Sequence, residues 1–163
     1  MNNKLVFCIV LFAAVFVSGC INTPMDNVNN LMKDVNNEVT DSDNYFNEAV
    51  IALNSKDYVL ADSKTNSAIR GYESAKEHLL ETNKYFGDIN KTIYIEYINL
   101  LGDEMNLKIN ASNNLLIASQ KFKDNDISGG NTHAQLANSK MAEALEIQKL
   151  RNNIVKDNPD LFN

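Results

Sequence analysis

The sequence is poor in the residues that carry most recognisable chemistry. Of 163 residues, two are cysteine and two histidine, and tryptophan is absent. Two cysteines, Cys8 and Cys20, exclude the disulfide framework of a small secreted domain, so stability has to come from packing. The histidines, His78 and His133, do not complete the Glu-x-x-His pairs of a di-iron bundle. Each reads as a surface or boundary residue rather than a ligand. There is no His-Glu-x-x-His, no Gly-x-Ser-x-Gly, no phosphate-binding glycine loop and no spare thiol nucleophile. No metal, no cofactor and no enzymatic activity are therefore expected. Positive charge is also short: Asp and Glu number 21 against 15 Lys and Arg, a formal net charge of −6, and no basic stripe offsets it. Nucleic acid and anionic headgroups are repelled, and no nucleic-acid partner is expected. Beyond Cys20 there are no alternating apolar–polar stretches, no Asn-Gly or Asp-Gly hairpin turns, and no apolar run near the ~20 residues needed to span a bilayer. These absences exclude a sheet and a transmembrane helix in the body of the chain.

What the chain does have begins at its amino terminus. Lys4 supplies a short positive region, and Leu5 to Val17 is an unbroken apolar run. Its length fits the roughly 7–15 residues of a signal-peptide core. Val17-Ser18-Gly19-Cys20 follows at once. This segment resembles the lipobox of prokaryotic lipoproteins, in which an aliphatic residue and two small residues precede a cysteine. The resemblance implies cleavage between Gly19 and Cys20 and a diacylglyceryl, palmitate-type modification on Cys20. It implies a protein held at the cell membrane by lipid and facing the extracytoplasmic side. Cys8 would be lost with residues 1–19, about 143 residues would remain, and the loss of Lys4 would make them one charge more negative. Two acyl chains, at ~0.8 kcal/mol per buried methylene, hold a soluble domain on a bilayer where one is marginal.

The body reads as helix throughout. After a short anchor and tether over 20–25, Thr23-Pro24-Met25-Asp26 has the order of a helix start: N-cap, Pro at the first position, carboxylate in the first turn. Val28, Leu31/Met32, Val35 and Val39 recur at helical spacing among several asparagines, so Ile21–Val39 is open between helix and tether. The period strengthens through Tyr45/Phe46, Ala49, Val50 and Leu53. Asp57 is the expected cap of a second helix with the cleanest repeat, Tyr58, Ala61, Thr65, Ala68, Tyr72, Ala75, Leu79, Thr82 and Phe86. Gly71 within it marks a close-packing spot or mild bend. Gly87-Asp88 reads as stop and start. A third helix follows with Ile89, Ile93, Tyr97, Leu100/Leu101, Leu107, Ala111, Leu115, Ala118 and Phe122 on its apolar face, continuous past Gly102 and supported by the Glu104/Lys108 pair. Asp124 to Gly130 reads as a loop, Thr132-His133-Ala134-Gln135 as a capping box, and Ala134, Ala137, Met141, Ala144/Leu145, Gln148 and Val155 as the face of a fourth helix ending before Pro159.

The expected fold is all-α: an elongated antiparallel bundle of about four long helices over 26–158, with a tail over 159–163. A repeat is suggested by Ala61-Asp62-Ser63-Lys64 and Ala137-Asn138-Ser139-Lys140. The turn Asn54-Ser55-Lys56-Asp57-Tyr58 bears a faint resemblance to helical hairpins of the tetratricopeptide kind, although the hallmark spacing does not recur. Glu96, beside the apolar stripe of helix three, would form a candidate pocket if it entered the core near Tyr58 or Tyr72; the alternative is a boundary glutamate reaching water. Asn90 and Asn110 stand in N-glycosylation acceptor patterns, of weight only in a host that glycosylates exported proteins. Function divides into a membrane-tethered interaction or scaffold module with an envelope protein as partner, and, as the alternative, a bundle binding or sensing a small ligand.

Overall fold

The computed structural model describes residues 23–87 and 92–162. The expected signal segment, the lipid-attachment site Cys20, the start of the tether, the Asp88 cap, Ile89 and Asn90 lie outside them. Among the described residues there is no strand. Four long helices, α1 (Pro24–Asn54), α2 (Tyr58–Glu81), α3 (Thr92–Lys123) and α4 (Ile127–Asp157), are followed by one turn, α5 (Pro159–Phe162). The fold is an all-α bundle.

The local sequence accounts for most boundaries. Thr23 caps α1 by accepting the Asp26 N–H at 3.2 Å, and Asp26 accepts the Thr23 N–H in return at 2.8 Å. The asparagine-rich stretch is therefore helix from Pro24 onward, because its apolar residues Val28 and Val35 are fully packed. Asp57 caps α2 as its position suggests. The regular helix stops at Glu81, and Thr82–Tyr85 tighten into a 3₁₀ turn. α3 runs through Gly102 without a break.

Two expectations fail. The capping box at Thr132 is interior to α4, which begins at Ile127 with Asp126 as its cap, accepting the Gly129 N–H at 2.9 Å. Gly129 and Gly130 belong to the first turns of that helix rather than to a loop. A Cβ on Gly130 would lie 2.5 Å from the Phe122 ring, so the glycine is what lets the ring pack there. The expected tail is helical, and Phe162 sets its ring 4.9 Å from Tyr94 and 5.3 Å from Tyr97.

Buried positions recur at helical spacing, most regularly in α2 and α4. In α2 the buried positions are Ala61, Thr65, Ala68, Tyr72, Ala75 and Leu79; in α4 they are Gly130, Ala137, Ala144 and Arg151, one heptad apart. A sustained seven-residue period underwinds helices about one another in a left-handed sense. Alanine fills many of the seam positions, so neighbouring backbones come close. Gly71 is such a spot: a Cβ there would fall on the Ser42 hydroxyl of α1. Packing is serial. α1 pairs with α2, α2 with α3, α3 with α4, α1 only brushes α3, and α4 has no Cα within 8 Å of α1 or α2.

The two hairpins repeat each other. Lys56 and Asn125 both have left-handed backbones, φ 61° and 62°. Each donates its N–H three residues back at 3.0 Å, to Leu53 and Phe122. The next residue, Asp57 or Asp126, donates five residues back at 2.9 and 2.8 Å. This is a Schellman stop fused to an N-cap. The turns lie 69 positions apart, which pairs Ala61 with Gly130 and Ala68 with Ala137. The repeat expected from Ala61 and Ala137 was thus misaligned by one heptad, and its unit is about twice the length of a tetratricopeptide hairpin. Lys has no special tolerance of the left-handed region, whereas Asn does. Lys56→Gly should therefore stabilise the fold by about 0.5–1 kcal/mol and Asn125→Gly by less, measured as midpoints of thermal or urea unfolding.

Candidate functional site

The largest concentration of chemistry is a buried chain of side chains that runs from α1 and α2 through α3 to α4. Glu104, Lys108 and Arg151 occupy seam positions of α3 and α4 and are 0%, 1% and 7% exposed. Arg151 reaches from α4 to Glu104, with Nη2 2.6 Å and Nε 2.8 Å from Oε2, and its Nη1 donates to the Tyr97 hydroxyl at 2.7 Å. Its guanidinium carbon also sits 5.1 Å from the centre of the Tyr97 ring. One turn along α3, Lys108 Nζ donates to both oxygens of Asp43 on α1 at 2.8 and 2.9 Å. The Tyr72 hydroxyl of α2 donates to Asp43 Oδ1 at 2.6 Å. Lys108 Nζ and Glu104 Oε1 are 3.1 Å apart. That oxygen receives no hydrogen bond, so charge alone joins the two halves of the chain.

The order is Tyr72, Asp43, Lys108, Glu104, Arg151, Tyr97, with at least one member from every long helix. Two acids face two bases, so the buried set is neutral. Burial raises the ionisation of the Tyr72 phenol far above its ordinary range, with the neighbouring Asp43 and Glu104 carboxylates adding to it. Tyr97 is raised by burial and by Glu104, against the lowering effect of Arg151. Both phenols therefore stay neutral and act as donor and acceptor at the two ends of the chain. Of the remaining buried hydroxyls, Ser42, Thr65 and Ser112 each donate to a carbonyl of their own helix, Thr82 to Leu79 at the end of α2, and Ser119 of α3 to the Tyr58 carbonyl of α2 at 3.4 Å. The arrangement binds helices to one another; every charged member points at another member.

The candidate pocket is not assembled. Tyr72 is fully buried in the charge chain. Tyr58 is half-buried at the far end of α2, its ring stacked 6.4 Å from Phe122. Glu96 is exposed and does not enter the core; the helical turn places it on the rim of an open groove between α3 and α4. Asn110 is exposed on α3. His78 pairs with Glu38 at 3.1 Å and His133 bonds Asn114 at 3.0 Å, both partly exposed. Among the described residues, no group of three or more His, Cys, Asp or Glu side chains is placed to hold a metal ion.

Reading the sequence by hydropathy passed over the charge chain. Hydropathy makes Glu104 and Lys108 a pair that supports the continuity of α3, and it does not place Arg151 on the apolar face of α4. The signal lay in the spacing: Tyr97, Leu101, Glu104, Lys108, Ala111 and Leu115 continue the alternation of four and three without a gap. Compared with known families, curated proteins and solved structures, the chain matches none.

A buried charge stripped of its partner is far costlier than the intact pair. Arg151→Met should destabilise the protein by about 3–5 kcal/mol. Glu104→Leu combined with Arg151→Met should recover most of that loss, because Lys108 keeps Asp43. Chemical denaturation of the two single variants and the double closes the cycle.

Proposed function

We propose that this protein is an extracytoplasmic, lipid-anchored helical module that holds an envelope protein partner. The observation that carries this reading is the apolar run from Leu5 ending in Val17-Ser18-Gly19-Cys20, the order of a lipoprotein signal. With Cys20 as lipid attachment point and Gly19 as the last residue removed, the bundle begins only a few residues from the bilayer, since α1 starts at Pro24. No helix among the described residues is long and apolar enough to cross a membrane; a lipid would supply the anchor instead.

Two features of the body support a holding role. Its helices run 24–32 residues, so at 1.5 Å rise the longest extend nearly 50 Å. Its buried charges are engaged with one another across helices, which suits a rigid strut presenting its outer faces.

Two results check the proposal. Cys20→Ala should shift the protein from the membrane to the soluble fraction; a variant that still sediments with membranes after a high-salt wash would remove the lipid from the account. Cross-linking with mass spectrometry on intact cells should capture a discrete partner with the wild-type chain and lose it with Cys20→Ala.

A further inference from the structure

The 69-residue repeat provides an internal comparison of the two hairpins. On the first, the outer edge of the α1–α2 seam is closed by polar pairs. Lys64 lies over the Tyr45 ring at 5.2 Å and pairs with Glu48 at 2.6 Å. Glu38 accepts the Ser74 hydroxyl at 2.6 Å and pairs with His78 at 3.1 Å, and Glu81 follows one turn on. On the second hairpin the same edge begins alike, with Asn114 bonded to His133 in place of Tyr45 and Lys64. Glu143, paired with Lys140, stands where Ser74 does, and three other positions become apolar. Leu107 stands where Glu38 does, Ile147 where His78 does, and Leu150 where Glu81 does.

The hairpin fold accepts polar residues at these positions, because the first hairpin uses them. Packing within the second hairpin does not require Leu150, which is 53% exposed; Leu107 and Ile147 are half-buried. Single exposed leucines are ordinary, but three polar-to-apolar exchanges along one edge, at Leu107, Ile147 and Leu150, mark a surface for recognition. Through Leu150 the edge adjoins an open groove of about 330 Å³ lined by Ile93, Leu100, Leu150 and Ile154, with Asn153 and Asn158 beside them. Glu96 and Asp157 stand on its rim, and neither has an ion-pair partner among the described residues.

We propose that this groove receives an amphipathic helix from a partner protein, apolar residues inward at i, i+3/i+4 and i+7, basic residues flanking them against Glu96 and Asp157. The proposal rests on the interaction-module reading and names its surface. Charge selects this occupant over a second copy. Two apposed grooves would bring four unpaired carboxylates together on chains that each carry a net charge of −6, which opposes association. The same carboxylates repel anionic headgroups.

The test uses the membrane-extracted full-length protein and two synthetic helical peptides. Both carry one leucine face at helical spacing, flanked by lysine in one and glutamate in the other. Fluorescence anisotropy should show the lysine peptide binding at least about tenfold more tightly. Leu150→Ser with Ile154→Ser should weaken it about tenfold, with circular dichroism melts confirming the fold, while Glu81→Ser on the first hairpin leaves it unchanged. Glu96→Lys with Asp157→Lys keeps the apolar floor and should reverse the preference toward the glutamate peptide. Equal binding of both peptides, or indifference to the groove variants, overturns the proposal. So does a dimer in sedimentation, or binding to phosphatidylcholine–phosphatidylglycerol vesicles, that is lost on Leu150→Ser with Ile154→Ser. If peptide binding fails while in-cell cross-linking still captures a partner, the groove is not the surface used and the interaction module stands.

Discussion

The charge chain from Asp43 to Arg151 is the constraint on which the rest of the bundle depends. In seams of seven-residue period with many alanines, a shift of one heptad is the competing register. Sliding α4 by one heptad would set Ala144 where Arg151 now stands. Glu104, fully buried, would then lose the guanidinium, at a cost of several kcal/mol. Sliding α3 against α1 would carry Lys108 away from Asp43 in the same way. The apolar seams supply the stability and the charges reject the alternatives. Such a set contributes little net free energy compared with a well-packed apolar core, and its value lies in register.

Register in turn decides what the surface presents. The two hairpins share a turn, a seam period and an offset, yet they differ along one edge. The first closes that edge with Glu38, Ser74, His78 and Lys64. The second has Leu107, Ile147 and Leu150 in place of Glu38, His78 and Glu81, with Leu150 exposed and the other two half-covered. Because Arg151 lies next to Leu150, the contact that fixes α4 on α3 also fixes one wall of the groove. Serial packing leaves α4 against α3 alone among the long helices, so this wall is not shared with the first hairpin.

Most of the fold was legible because the period was. Tyr58, Ala61, Thr65, Ala68, Tyr72, Ala75 and Leu79 were read as one face and form one face, since small and aromatic residues mark a seam by size as well as by spacing. Legibility failed where chemistry and period disagreed. Glu104, Lys108 and Arg151 sit in the stripe by spacing, but hydropathy does not count charged residues toward an apolar face; the acids and bases they meet, most of them on other helices, explain their burial. Gly129 and Gly130 read as a loop because glycine breaks helices locally, and the Phe122 ring that requires Gly130 is a tertiary fact. Glu96 fell the other way: beside the stripe in sequence, it turns outward because Tyr97 and Ile98 take the buried positions. The candidate pocket with Tyr58 and Tyr72 failed with it, as Tyr72 is consumed by Asp43.

The most direct test of the register account is to replace the four charges together by apolar residues, Asp43→Leu, Glu104→Leu, Lys108→Met and Arg151→Met, and to record the ¹H–¹⁵N correlation spectrum of the folded variant. The account predicts a protein at least as resistant to denaturant as the parent but with several resonances for many α3 and α4 amides, as helices sample neighbouring registers. A single sharp set of resonances with the parent's contacts between α3 and α4 would show that the apolar seams already fix the register, and would contradict it.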